Sequence, residues 1–242
     1  MDNNKFLAIT SMDKSYYDKC GRAMLASYKH NSSHLFPLNV YNEDDFLVKV
    51  KKVNPVGWDL GQDYKNFMTR HNNLKVKTFA KKGFSIIHAM KNIKHERLIW
   101  LDADTIIKNE MPMQLLELIT PDDVLSTHFS VWHEQDNITY HSCETGFFIL
   151  NTQHPGYNDF INTYDNIYCN DITDGLRRFY DGEVYGKTVE LMEAKGHKML
   201  NLNPGRHKTP ISRSVISPYI DHYKAGLKDK IDYDKIEKQY EI

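Results

Sequence analysis

The sequence predicts an α/β fold with a mostly parallel, mixed sheet flanked by helices, and three observations predict it. Short apolar runs alternate with segments of helical periodicity through the first half of the chain, a pattern typical of parallel sheets. Residues 146–150 are continuously apolar, as expected of a strand that is covered on both faces. The 242 residues are 40% hydrophobic and 26% charged, ordinary values for a chain that buries a sizeable core.

Each predicted element follows from a local pattern. Apolar and β-branched runs predict strands over residues 5–11, 35–41, 98–101, 124–129, 146–150 and 198–202. Apolar residues three or four positions apart, with Pro112 and Pro155 at first turns, predict helices over residues 16–30, 64–70, 79–93, 112–119, 155–168 and 184–195. Apart from its short helix, the polar stretch 50–75 is predicted to be irregular, and 128–145 to be loop. The last dozen residues are predicted to form a charged helix or tail.

Composition excludes several classes of protein. With 31 basic and 32 acidic residues the net charge is −1, which argues against nucleic acid as a partner. The three cysteines are widely spaced and odd in number. This argues against a disulfide framework and against a thiolate metal site, and it fits a protein of a reducing compartment. No apolar stretch is long enough for a signal peptide core or a membrane span. We therefore expect a cytoplasmic protein with no integral membrane segment, folded as one domain over residues 1–242.

Two carboxylates one residue apart follow a short apolar strand. Asp102 and Asp104 come directly after residues 98–101, and positions i and i+2 of an extended segment point to the same side. Ligands of open α/β sheets bind at the carboxyl ends of the strands. Because two close carboxylates repel, a hard divalent cation such as Mg²⁺ or Mn²⁺ is the usual partner. The pair is therefore predicted to hold a metal ion and, through it, a diphosphate.

The Asp-x-Asp pair is also compatible with other kinds of local structure. Asp after a strand also forms turns and caps helices, since its carboxylate accepts backbone N–H bonds. An EF-hand is disfavoured because Ile106 and Ile107 occupy ligand positions of that loop. The layout is Rossmann-like, yet no Gly-x-Gly-x-x-Gly follows the first strand and no Walker loop is present. Dinucleotide and P-loop chemistry are therefore disfavoured.

Six segments, met in order along the chain, carry a family resemblance: Thr10-Ser11, Phe79-Ala80-Lys81-Lys82, Leu101-Asp102-Ala103-Asp104, Cys143-Glu144-Thr145-Gly146-Phe147-Phe148, Tyr180-Asp181-Gly182 and His222-Tyr223-Lys224-Ala225-Gly226-Leu227-Lys228. The ordered set resembles GT-A-fold glycosyltransferases, which are metal-dependent and use nucleotide-diphosphate sugars, and more loosely their small glycogenin-like, phage and bacterial members. The resemblance extends from the first strand to about residue 230, and only its Asp-x-Asp segment is specific alone. It implies a GT-A-like, single Rossmann-like domain.

The resemblance implies roles for individual residues. Asp102, Asp104 and His222 are expected to bind Mn²⁺ or Mg²⁺. Donor-binding residues are expected to be Thr10, Ser11, Lys82, Asp102 and Lys228, with Lys81 and Lys224 as the alternatives to the two lysines. The spacing after His222 differs from that of the glycogenin-like form. In that form, one residue fewer separates His from Gly, and two residues separate Gly from Lys.

Two further acidic residues are candidates for catalysis. Glu144 precedes a small-residue turn into a strand, and Asp181 follows Phe179-Tyr180 and precedes a helix. Either carboxylate is suited to act as general base on an acceptor hydroxyl or to orient the sugar, and Asp181 is equally suited to cap the helix. Both inversion and retention of the anomeric configuration are compatible with these two residues. Residues 1–105 are predicted to bind the nucleotide, 106–230 the sugar and acceptor, and 231–242 to form the charged C-terminal helix or tail.

The sequence therefore predicts a metal-dependent glycosyltransferase that moves a sugar from a nucleotide-diphosphate sugar to an acceptor hydroxyl, the acceptor being a glycan, a lipid-linked molecule or a protein. One alternative is a HAD-like phosphohydrolase, whose nucleophile loop also has an Asp-x-Asp; a second is a catalytically inactive nucleotide-sugar-binding protein. A nucleotidyltransferase is disfavoured because no Gly-rich basic loop follows the first strand. His128, His133 and His141 fit no zinc motif.

Overall fold

The computed structural model describes residues 5–44, 46, 48, 50, 52–135, 138–203, 208–223 and 229–240. Its strands are β1 (Phe6–Met12), β2 (Leu38–Asn42), β3 (Val53–Val56), β4 (Arg97–Leu101), β5 (Thr105–Ile107), β6 (Ser126–His128), β7 (Ser130–Gln135), β8 (Ile138–Cys143), β9 (Phe147–Asn151), β10 (Met199–Asn201) and β11 (Ile220–His222). Its α-helices are α1 (Lys14–Tyr16), α2 (Arg22–Asn31), α3 (Gly61–Arg70), α4 (Leu74–Asn92), α5 (Met113–Leu118), α6 (Tyr157–Cys169), α7 (Asp181–Ala194) and α8 (Tyr233–Tyr240).

The main sheet has seven strands in the order β10-β6-β9-β4-β1-β2-β3. Strands β4, β1, β2 and β3 run parallel to one another, and β10 runs parallel to β6. Strand β9 is antiparallel to both of its neighbours. The predicted fold class, a mostly parallel mixed sheet flanked by helices, is confirmed.

Helices cover both faces of this sheet. On β4, Leu98 and Trp100 pack into an apolar cluster with residues of α4, α6 and α7, whereas Ile99 and Leu101 pack into a second cluster with residues of α2 and α5. Neighbouring residues of one strand point to opposite faces, and both faces are dry here. This explains why β4 and β9 are continuously apolar rather than alternating.

Two predicted irregular regions contain strands. Residues 53–56 form the edge strand β3, where the prediction was wrong because Pro55 indicated a break; Pro is tolerated in an edge strand, whose outer side needs no ladder bonds. Residues 128–145 were predicted to be loop, but β7 and β8 form an antiparallel hairpin over most of this stretch. Its polar, histidine-rich sequence obscured the strand pattern.

Several helix starts also differ from the prediction. The helix predicted from residue 79 begins at Leu74, because the Asn73 side chain accepts hydrogen bonds from the backbone N–H groups of Lys75 and Val76. The helix predicted from residue 184 begins at Asp181. The helix predicted over residues 16–30 is divided into α1, a π-helical turn over Tyr17–Gly21, and α2.

The C-terminal helix α8 lies against α2. The Arg22 guanidinium bridges Asp234 at 3.0 Å and Glu237 at 3.3 Å, and Tyr233 and Ile236 of α8 lie in an apolar cluster with Cys20 and Ala23. No helix in the described ranges combines the length and the apolar character needed to cross a bilayer.

Candidate functional site

The Asp-x-Asp pair lies at the carboxyl edge of the main sheet, in the turn between β4 and β5. Strand β1 is the parallel neighbour of β4, with Ile9 opposite Trp100. Two residues beyond that pair are Ser11 on one strand and Asp102 on the other. The turn is held by Asp102, whose N–H donates to Gly146 and whose carbonyl accepts from Thr105. The chain order of strand and turn thus places both carboxylates where open α/β sheets bind ligands.

A short ribbon brings His222 to this turn. Strands β5 and β11 pair antiparallel with His222 opposite Thr105, the residue after Asp104. The imidazole Nε2 lies 3.1 Å from Asp104 Oδ1 and 3.4 Å from Asp102 Oδ2. Ligand atoms of Asp102, Asp104 and His222 all lie within 4.8 Å of one another. The three residues predicted to bind a metal are therefore together.

The other nitrogen of the His222 ring faces Glu144. Nδ1 lies 3.0 Å from Glu144 Oε1, and both side chains are buried. Gly146 makes this packing possible, since a Cβ there would lie 2.3 Å from Nδ1 of His222. A neutral imidazole that donates Nδ1–H to a carboxylate presents its Nε2 lone pair on the opposite side. Here that side faces the two aspartates.

Lys82 lies on α4 and connects Asp102 to Asp181. Its ammonium is 2.6 Å from Asp102 Oδ1 and 2.9 Å from Asp181 Oδ2, and it donates to the carbonyl of Thr145 at 2.7 Å. The Trp100 indole N–H also donates to Asp102 Oδ1, at 2.7 Å. Lys82 is thus a buried lysine with three partners rather than a solvated one at a helix start.

Asp181 is the first residue of α7 and points into the site. It accepts a hydrogen bond from the Thr145 hydroxyl at 2.6 Å, in addition to its contact with Lys82. Gly182 allows α7 to approach, because a Cβ there would lie 2.6 Å from the carbonyl oxygen of Cys143. Of the predicted residues, Lys82, Asp102, Asp104, Glu144, Asp181 and His222 form one continuous network.

The network carries more negative than positive charge. Its four carboxylates face two basic groups, Lys82 and His222. Burial alone would raise the pKa of Asp102, but Lys82 and His222 hold it well below its usual value. Burial alone would lower the pKa of His222, but Asp102 and Asp104 raise it to about 9. For Lys82 too, burial lowers the pKa, and Asp102 and Asp181 raise it above the ordinary value.

The donor set fits a divalent metal ion. Two carboxylates and one oriented imidazole are ligands that Mn²⁺ accepts readily, and the excess negative charge favours a cation. The carboxylate behind the imidazole is the outer partner usually found at metal-binding histidines. The geometry therefore supports a metal centre at Asp102, Asp104 and His222.

Other predicted residues lie apart from the network. Thr10 is fully buried in β1, and its hydroxyl has no hydrogen-bond partner among the described residues. Ser11 is partly exposed at the end of the same strand. Lys81 pairs with Glu43 at 2.8 Å. Lys224 and Lys228 lie outside the described residues.

Three predicted loop histidines are on strands. His128 ends β6, while His133 and His141 lie in the β7–β8 hairpin, where His133 contacts the Ser142 hydroxyl. The metal-ligand clusters of the described chain contain none of the three.

Tyr16 belongs to the site and was missed by the sequence analysis. Its hydroxyl donates to Asp104 Oδ2 at 3.0 Å. The residues are 88 positions apart, and the sequence predicts Tyr16 only as the first residue of a helix. Nothing in the spacing indicates that this tyrosine turns toward the second aspartate.

Comparison with known proteins identifies solved structures of the same fold. No protein-family model matches the sequence, and no curated protein matches it. Solved structures do match. LgtC, a galactosyltransferase crystallised with donor and acceptor sugar analogs, is similar with a TM-score of 0.58 and 11% identity, over 98% of this chain and 96% of LgtC. The chain has the GT-A glycosyltransferase fold.

Two further GT-A structures share it. A glycosyltransferase involved in glycosylation of the major capsid of PBCV-1 has a TM-score of 0.52 and 14% identity, over 97% of this chain and 98% of its own. The bifunctional glycosyltransferase WbbM has a TM-score of 0.61 and 12% identity; all of this chain is covered, but it spans 50% of WbbM. At these identities the likeness establishes the GT-A fold, and activity is argued from the site.

Proposed function

We propose that this protein is a metal-dependent glycosyltransferase that moves a sugar from a nucleotide-diphosphate sugar to an acceptor hydroxyl. One observation carries the proposal: Asp102, Asp104 and His222 converge at the carboxyl edge of a GT-A sheet. The convergence joins the turn between β4 and β5 to strand β11, two segments that are far apart in sequence. A turn that merely capped a helix would not require it.

The metal ion proposed here is Mn²⁺ or Mg²⁺, held by Asp102, Asp104 and His222. When bound, it would neutralise the diphosphate and stabilise the charge that develops as the sugar departs. Glu144 orients the imidazole by accepting its Nδ1–H. Lys82 keeps Asp102 and Asp181 in place and adds positive charge beside the diphosphate position. We assign Lys228, with Lys224 as the alternative, to the diphosphate as well.

The donor is expected to lie along the carboxyl ends of β1 and β4. Ser11 has the accessible hydroxyl near the end of β1, whereas the side chain of the neighbouring Thr10 is fully buried. LgtC carries donor and acceptor sugar analogs in the same fold, which supports a nucleotide sugar as donor here. The acceptor is left as a hydroxyl compound of a glycan, lipid-linked or protein type.

Glu144 and Asp181 are the candidates for contact with the sugar and the acceptor. Both are buried and lie on either side of Thr145-Gly146, at the inner wall of the site. Asp181 is held by Lys82 and Thr145, an arrangement suited to a carboxylate that accepts hydrogen bonds from the hydroxyl groups of a sugar. We propose that Asp181 orients the transferred sugar and that Glu144 contributes through His222.

The HAD-like alternative is not favoured. A phosphohydrolase needs an aspartate oxygen free for attack on phosphorus. In this site Asp102 Oδ1 accepts from both Lys82 and Trp100, and Oδ2 faces His222. A catalytically inactive nucleotide-sugar-binding protein would bind the donor without turning it over, and the assay for release of the nucleoside diphosphate tests this alternative.

The test is thermal unfolding with UDP-, GDP- and dTDP-sugars, each with and without Mn²⁺, followed by assay of the stabilising pair for release of the nucleoside diphosphate. A ligand at a hundred times its Kd stabilises the folded state by about 2.7 kcal/mol. A shift that needs both one nucleotide sugar and Mn²⁺ is the expected result. Absence of a shift with every pair would refute the proposal.

Asp104→Asn is the matched variant, because it keeps the shape of the side chain and removes the charge. It is expected to abolish the Mn²⁺-dependent shift and turnover. The control is Asp123→Asn, which removes a carboxylate from an exposed ion pair with Lys198 and should leave both unchanged.

A further inference from the structure

The two carboxylate oxygens of Asp104 have different neighbours, and Tyr16 is one of them. The tyrosine hydroxyl donates to Oδ2 at 3.0 Å, whereas Oδ1 lies 3.1 Å from His222 Nε2. Asp104 itself is buried, with 3% of its surface exposed. One oxygen is therefore held by the protein, and the other faces the position shared with His222.

The backbone conformation after β1 places the Tyr16 hydroxyl next to Asp104. Asp13 caps α1 by accepting the N–H of Tyr16 at 2.7 Å. Directly after Tyr16 comes the π-helical turn over Tyr17–Gly21, and such turns are rare and concentrate at functional sites. At its end Gly21 packs on Met12, where a Cβ would lie 2.6 Å from the methionine sulfur. These contacts fix where Tyr16 leaves the backbone.

We propose that Tyr16 is a positioning residue of the metal site, whose hydroxyl restricts Asp104 to binding the ion through Oδ1. The inference rests on the proposed metal-dependent function and adds a residue that determines its metal affinity. A carboxylate with both oxygens free can rotate or bind in a bidentate manner. A hydrogen bond to one oxygen removes that freedom before the ion arrives, so less ordering is required on binding.

The phenol is suited to this role as a donor. A tyrosine hydroxyl ordinarily has a pKa of about 10, so it carries a proton in the neutral range that it can donate to Asp104 Oδ2.

The test compares Tyr16→Phe with Tyr17→Phe. The two variants each remove one hydroxyl, from neighbouring residues; the Tyr17 ring packs on Phe46 at a centroid distance of 4.8 Å, whereas the Tyr16 hydroxyl donates to Asp104. Mn²⁺ is titrated into each protein without donor, and free Mn²⁺ is followed by electron paramagnetic resonance. Loss of a hydrogen-bonding partner behind a metal ligand typically weakens binding about 10–100-fold.

We expect Tyr16→Phe to weaken Mn²⁺ binding in that range and to alter the spectrum of the bound ion, in a metal-free protein that is still folded at the temperature of the titration. Tyr17→Phe should match the wild type. Wild-type affinity and spectrum in Tyr16→Phe would overturn the role of Tyr16 alone. No Mn²⁺ binding by the wild type would overturn the metal site itself, and equal weakening in both variants would show a general packing effect instead.

Discussion

Glu144 Oε1 lies 3.0 Å from Nδ1 of His222, on the side of the imidazole away from the two aspartates. The pair belongs to two distant segments, one preceding β9 and one ending β11. Because the ring is flanked by a carboxylate on each side, its orientation is fixed without any ligand. Glu144 thus acts on the proposed metal through His222.

Replacing Glu144 with Gln should weaken Mn²⁺ binding by at least about 10-fold, since the amide is a poorer acceptor for Nδ1–H and makes the imidazole less basic. Titration of the metal-free protein measures this. Glu190→Gln is the control, because Glu190 lies 3.5 Å from a different histidine, His141. Unchanged affinity in Glu144→Gln would contradict the orienting role.

Gly146→Ala should displace His222 and destabilise the protein by about 1–3 kcal/mol, the usual cost of overpacking. The added Cβ would lie 2.3 Å from a ring atom of His222. Denaturant unfolding and Mn²⁺ titration report the two effects. Gly57→Ala is the control, since a Cβ there meets no heavy atom within 4 Å; equal losses in both variants would argue against a specific clash.

Lys82→Met should destabilise the metal-free protein by about 3–5 kcal/mol, because it leaves Asp102 and Asp181 without their buried cation. Lys198→Met removes an exposed ion pair with Asp123 and should cost about 1 kcal/mol or less. Urea unfolding separates the two. A loss in Lys82→Met no larger than in Lys198→Met would show that Lys82 is not needed to hold these carboxylates.

Stability should fall as the pH drops below 6.5, and His128 should account for part of the loss. Burial, and then the nearby His141, lower the pKa of His128 to about 3. An unfolded histidine titrates near 6.5, so between these values only the unfolded chain binds the proton. The free energy of unfolding then declines toward acid by up to about 1.4 kcal/mol per pH unit.

His128→Asn removes the imidazole that takes up this proton. The free energy of unfolding of the variant should therefore depend less on pH between pH 6.5 and 5 than that of the wild type, and this comparison is the measurement. A parallel slope in wild type and His128→Asn would contradict the assignment.

The parts of the fold that the sequence predicts are those set by local pattern. Strands β1, β4 and β9 are apolar throughout because both sheet faces are covered, and this is visible in the sequence itself. Strand β3 was missed since Pro55 is acceptable only at a sheet edge, and edge position depends on strand order. The ribbon of β5 and β11 was missed because three-residue strands carry almost no pattern.

The site shows the same division. Asp102 and Asp104 follow from strand and spacing, and the family resemblance supplied Lys82, Glu144, Asp181 and His222. The contact between Tyr16 and Asp104 depends on a π-helical turn and on long-range packing, neither of which has a sequence signature here.

The ribbon that carries His222 has a consequence for how the protein comes to bind ligand. Its two strands pair over only three residues each, outside the seven-stranded sheet. A small paired segment opens more readily than a central sheet does. The proposed third ligand, His222, comes more than a hundred residues after Asp104, so the proposed metal site is complete only when β11 is paired with β5. For the proposed metal, the apparent affinity would therefore be the intrinsic affinity multiplied by the fraction of molecules in which this ribbon is paired, and metal binding would in turn favour the paired ribbon.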